Sequence, residues 1–186
     1  ESEGDTHEWQ IPYYILALPR EQLKALPDVL EQLTAEEAME LMSGIDLSRL
    51  SMERVEGEMK KALLESSKPS VFFQVLRDCG KLDPWFSELR ETIGVPQDPV
   101  YHPEGDVWNH PMEVLDRGAA MRDQADEPYG FMMLCLTHDL GKIVSTETAA
   151  DGRIHAYGHE EAGLPIADRL LSRVVSRKDV KKYVLG

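Results

Sequence analysis

The sequence predicts an all-α protein. Apolar residues recur at helical spacing in almost every segment, no stretch alternates Val, Ile and Thr as a sheet requires, and caps and breakers fall at helix-length intervals. In chain order, Pro19 opens a segment with apolar Leu23, Leu26 and Leu30, which Pro27 divides into two short helices. Thr34 caps the stretch from Ala35 to Met42, with Glu36 and Glu37 at its positive end and Gly44 after it. Ser51 starts a longer amphipathic helix through Val55, Met59, Leu63 and Leu64. Ser70 starts another through Phe72, Phe73 and Leu76, closed by Gly80. Asp83-Pro84 reads as an N-cap with proline at the first helical position, and Gly94 terminates that helix.

From Val95 to Gly105 three prolines exclude a helix, which makes this stretch a boundary between two units. Beyond it the pattern predicts helices from about Asp106 to Gln124, Tyr129 to Thr137 and Glu160 to Val175, with a loop from Thr146 to Gly152. A last helix begins near Lys178 with Ser176 as its cap. The expected division is a helical lead-in over 1–34, a small helical unit over 35–98 and a larger one over 99–186. Gly186 falls inside the last helix, so the natural protein is expected to continue.

Composition is that of an ordinary globular chain, 42% hydrophobic and 29% charged, without an apolar run long enough to span a membrane. A cytoplasmic location is expected, because no secretion signal opens the chain and Cys79 and Cys135 read as buried thiols. The net charge is −14, and the acid excess lies mostly in the N-terminal part. That balance opposes a grip on a phosphate backbone by charge alone. The one cationic cluster, Arg177, Lys178, Lys181 and Lys182, reads first as a solvated helix face and second as a contact for RNA.

Chemistry concentrates in the larger unit. His110 sits in its first helix, His138-Asp139 follows the most apolar helix and precedes Leu140-Gly141-Lys142, and His155 and His159 flank Ala156-Tyr157-Gly158. A lone helical histidine or a single His-Asp pair carries little; the combination suggests imidazoles and a carboxylate meeting from different helices. Such a mixed site suits Mn, Fe, Co, Ni or Zn, with Mg as a harder alternative. An ion held there lowers the pKa of water and neutralises phosphate oxygens, as phosphoester hydrolysis requires. Glu160 and Glu161 are candidate partners for the ligand histidines, and Lys142 reads equally as a phosphate contact or a helix C-terminal cation. His7 and His102 lie in irregular segments and are given no role. Met132, Met133 and Leu134 are expected in the core. Trp108, Trp85 and Phe86 are expected to pack between the units, with base stacking as the alternative.

At these residues the chain resembles the HD phosphohydrolase superfamily, an all-α fold named for its histidine and aspartate metal ligands. It is most similar to the version at the C-terminal end of bacterial tRNA nucleotidyltransferases, the CCA-adding enzymes. The segment from Ser66 to Leu82 is similar to the helical region after the neck of that family, and Ile45 to Val55 to the neck itself. The resemblance covers roughly residues 35–186 and implies an HD-domain bundle after a neck-like unit. It implies His110, His138, Asp139 and His159 as ligands of a divalent ion (Mg, Mn, Ni, Co or Fe), with Asp139 and Lys142 in catalysis. The implied substrate is a nucleotide or other phosphoester, with tRNA as a partner.

A further ligand is expected beyond Gly186. Residues 1–100 contain no Asp-x-Asp, so the nucleotidyltransferase head is expected to be missing. The competing readings are a non-catalytic tRNA-binding body and a nucleotide-sensing HD module.

Overall fold

The computed structural model describes residues 43–44 and 46–186. The expected helices around Pro19 to Leu30 and after Thr34 lie outside the described residues. Within them the protein is a helical bundle, as the spacing predicts. A 3₁₀ turn, Leu47–Arg49, leads into α1, Met52–Glu65, whose Val55, Met59, Ala62 and Leu63 form one buried stripe at helical intervals.

The second helix, α2 (Ser70–Asp78), begins against a distant residue. The Asp116 carboxylate accepts from Ser70 N at 3.0 Å and Ser70 Oγ at 2.8 Å, satisfying a donor that the helix start leaves open. Gly80, at φ 66, turns the chain away from α2. Phe72, Phe73 and Phe86 meet edge to face at 5.1 to 6.1 Å between centroids. The start expected at Asp83-Pro84 lies in a turn, and α3 runs only from Ser87 to Arg90.

After the irregular stretch around Val95 to Gly105, α4 (Asn109–Ala119) is shorter than the pattern suggested. It ends where Gly118 packs so closely on α5 that a Cβ there would lie 3.2 Å from Cys135 Sγ. Arg122, in the 3₁₀ turn after α4, donates to the carbonyls of Leu63 and Ser66 at the end of α1. The apolar α5 (Pro128–Thr137) is central, packing on α4, α1 and α8. Met132 and Met133 are fully buried as expected, but Leu134 is 38% exposed. A helix apolar on every face gives no sequence clue to which residue will look outward.

The short α6, Lys142–Ser145, leads to a two-residue antiparallel ladder, β1 (Glu147–Thr148) with β2 (Ile154–His155), pairing Glu147 with His155. Two further helices complete the bundle, α7 (His159–Val174) and α8 (Lys178–Leu185). Ser176 does not cap α8; its backbone N–H donates to buried Glu56, which also accepts from Tyr129. Trp108 and Phe86 lie inside the apolar core, which is continuous from Leu47 to Val184, and Trp85 packs against it. Cys79 and Cys135 are both buried thiols.

Candidate metal centre

Backbone packing assembles the site before any side chain is considered. His138 caps α5 through a bond to the Leu134 carbonyl, and the bond from Lys142 N to Asp139 O closes a tight turn into α6. Gly141 lies in this turn, where a Cβ would sit 1.8 Å from the His159 carbonyl oxygen and 2.6 Å from Gly163 N. Only a residue without a side chain lets the first turn of α7 lie directly on the His-Asp turn. Gly158, at φ 70, swings the chain from β2 into α7 and leaves His159 at that contact.

Three of the predicted histidines gather around Asp139, His110 and His138 at one carboxylate oxygen and His159 at the other. Asp139, 3% exposed, stands in the middle, with His138 Nε2 3.6 Å and His110 Nε2 4.0 Å from its Oδ2, and His159 Nε2 3.5 Å from its Oδ1. The rings of His110 and His138 lie 5.4 Å apart. Ligand atoms of His110, His138 and Asp139 all fall within 4.8 Å of one another. Lys142 Nζ approaches Asp139 Oδ2 at 2.8 Å and donates to Gln97 Oε1 at 2.8 Å. It thus faces the centre and does not cap a helix. His155 stays apart, stacked on Tyr157 at 4.6 Å.

The other ring nitrogens reveal how the imidazoles are turned. His138 Nδ1 lies 3.0 Å from the Cys135 carbonyl and His159 Nδ1 2.9 Å from the Ala156 carbonyl, so both Nδ1 atoms donate. His110 Nδ1 lies 2.7 Å from Glu104 Oε1, again facing an acceptor. In the neutral imidazole this leaves each Nε2 lone pair aimed at the Asp139 carboxylate. Acceptors pointing at a buried acceptor repel one another, and a cation between them converts that repulsion into coordination. The donor set therefore fits a divalent ion with nitrogen and oxygen ligands.

Burial lowers the pKa of His138, which favours the neutral, ligating form. Burial alone would raise Asp139, but the Lys142 ammonium holds its carboxyl below the usual range.

His102 belongs to the site after all. Its Nδ1 lies 2.9 Å from Glu104 Oε1, the same oxygen that meets His110, and the two rings are 5.1 Å apart. Burial would raise Glu104, yet the imidazoles of His102 and His110 draw its pKa down to about 2. The carboxylate partner of a candidate ligand is thus Glu104, while Glu160 and Glu161 are exposed on the first turn of α7. The signal in the sequence was the spacing of His102, Glu104 and His110, three side chains of metal-binding type within nine positions. Beside these residues opens a cavity of ≈ 250 Å³, lined by His102, Lys142, His155 and His159 among others.

Residues 32–93 match the family described as "Probable RNA and SrmB- binding site of polymerase A". A multifunctional CCA protein of Thioalkalivibrio sulfidiphilus is 42% identical over 128 residues, 69% of this chain and 29% of the relative. Those of Pseudomonas fluorescens and Actinobacillus pleuropneumoniae serotype 5b are 37% and 35% identical over 155 and 140 residues. The two alignments take in 81% and 75% of this chain and 36% and 33% of the relatives. The chain is a relative of the multifunctional CCA proteins. It spans about a third of the length of the CCA proteins it matches. No solved structure matches it. The relationship to CCA-adding enzymes expected from the neck-like segments is therefore supported. No helix among the described residues is long and apolar enough to cross a membrane.

Proposed function

We propose that this chain is an HD-type, metal-dependent phosphohydrolase portion of a protein related to tRNA nucleotidyltransferase, acting on a phosphomonoester or cyclic phosphodiester of nucleotide or RNA-end type. The observation that supports this reading most is the turning of three imidazole Nε2 atoms toward one buried carboxylate. On this reading His110, His138, Asp139 and His159 hold the ion, whether Mg, Mn, Ni, Co or Fe. When bound, the ion supplies Lewis acidity, activating water and neutralising phosphate oxygens.

The chain's own residues do the rest. Glu104 and the carbonyls of Cys135 and Ala156 fix the rings, and Lys142 offers a positive charge to the substrate phosphate at the cavity wall. Asp139 and Lys142 are the residues assigned to catalysis. A cytoplasmic location accompanies this reading.

The test is phosphate release from nucleoside 2′,3′-cyclic phosphates and 3′-monophosphates by the metal-loaded chain. Release that depends on metal and drops by about a hundredfold or more in Asp139→Asn supports the proposal. Release unaffected by that change, or no release with any of the five metals, overturns it.

A second reading is favoured by the family match over residues 32–93, namely that the neck-like unit over 35–98 binds tRNA. The two are compatible, and a gel shift with tRNA in metal-free buffer tests the second independently.

A further inference from the structure

The cavity beside the metal candidates has two kinds of wall. His102, Lys142 and His159 bring cationic and imidazole groups to the lining, Lys142 and His159 next to Asp139, and Asp98 adds one carboxylate. Pro96, Tyr101, Ile154 and Ala156 contribute an apolar wall from two separate segments, the loop before α4 and the β1–β2 hairpin. Around this wall two tyrosine rings stand in solvent, Tyr101 at 79% and Tyr157 at 82% exposure. Tyr157 is stacked on His155, which itself lines the cavity, with ring planes 25° apart. Tyr101 lines the cavity itself and Tyr157 reaches it only through its stack on His155, and exposed rings so placed suit an occupant with a flat π-face. Of the three sequence candidates for base stacking, Trp108 and Phe86 are each 1% exposed and Trp85 packs against the core.

We propose that this cavity is the nucleoside pocket of the site. The terminal phosphate lies toward Lys142 and His159, and the nucleobase stacks against Tyr101 and the His155–Tyr157 pair. The inference rests on the phosphohydrolase reading and deepens it: the preferred ligand is a phosphorylated nucleotide, and a phosphoester without a base binds less well. Stacking tolerates any base, so the pocket selects for the presence of a base more than for its identity.

The experiment compares adenosine 3′-monophosphate with glycerol phosphate on the metal-loaded chain, and adds saturation-transfer NMR of the nucleotide. In the wild type the nucleotide has the lower KM, and its base protons receive saturation from the protein. Tyr101→Ala and Tyr157→Ala each raise the nucleotide KM by on the order of tenfold, shift the KM ratio of the two substrates accordingly and weaken the saturation signal. Tyr101→Phe and Tyr157→Phe, which keep the ring, restore both.

Equal KM for the two substrates in the wild type, or alanine variants that change both substrates alike, overturns the pocket while leaving the hydrolase standing. Should neither substrate be turned over, the hydrolase reading fails, and the NMR signal still decides the pocket: base protons saturated in the wild type and lost in Tyr101→Ala support it, and no saturation overturns it.

Discussion

Glu104 governs how His110 meets the rest of the site. Its Oε1 takes both His110 Nδ1 and His102 Nδ1, so a single carboxylate oxygen fixes two rings from the loop side. Substituting Glu104→Gln keeps the shape and removes the charge. Metal affinity is then expected to fall about 10- to 100-fold, the usual cost of losing a partner behind a ligand histidine. Isothermal titration with Co or Mn measures this directly; an unchanged affinity refutes the orienting role. His138 and Asp139 were legible in the sequence because they are adjacent and come directly after an unmistakable apolar helix. His102 and Glu104 were not, because the prolines around them predict only irregular backbone. What folds that loop back is long-range: Val107 N bonds to Val95 O, Gly94 N to Asp106 Oδ2 and Gln97 Nε2 to Asp106 O. The assignment of Glu160 and Glu161 failed for the converse reason, since nearness in sequence to His159 did not place them on its ring.

Helix contacts set the positions that these residues occupy. The first turn of α7 rests on Gly141 with no room for a Cβ, so Gly141→Ala must separate α7 from the His-Asp turn or distort both. The expected loss of stability is about 3 kcal/mol or more by urea unfolding, beyond the ordinary range for one methyl group. Metal affinity falls with it, as His159 leaves Asp139.

A second link ties α3 to α7. Arg173 donates to both oxygens of Glu88, at 2.7 and 2.9 Å, and Glu88 is 4% exposed. Burial would raise the Glu88 pKa, but Arg173 outweighs it and holds the carboxyl below its usual value. With a lowered folded-state pKa, this contribution is complete above the unfolded value, about 4.3, and is lost as pH falls through the folded value. Unfolding midpoints tracked from pH 7 down to 3 are expected to drop on the acid side, with a shallower acid slope in Glu88→Gln. An identical slope in the variant contradicts this assignment. Element type and order were readable from caps and periodicity, yet neither Gly141 nor the Glu88–Arg173 pair was, because each depends on which helices become neighbours.

At the scale of the whole molecule, one core runs from Leu47 to Val184, joining most of the segment that matches the RNA-binding family to the helices that carry the site. A shared core predicts a single cooperative thermal transition for residues 46–186. An ion bound at Asp139 then stabilises that entire transition, by about 2.7 kcal/mol when free metal is a hundred times Kd. The all-α class was legible because helical periodicity extends along the chain, and the small hairpin escaped notice because a two-residue ladder has no pattern. The charge of −14 remains a constraint on any RNA contact. Arg177, the first residue of the basic cluster, is already bonded to Glu127 and Asp179.

The measurement closest to the central claim is calorimetric titration of Co or Mn into metal-free protein, alongside Asp139→Asn and His138→Ala. Saturable uptake by the wild type that is abolished in Asp139→Asn and weakened in His138→Ala is the predicted result. No uptake by the wild type, or isotherms that coincide across all three proteins, would contradict it.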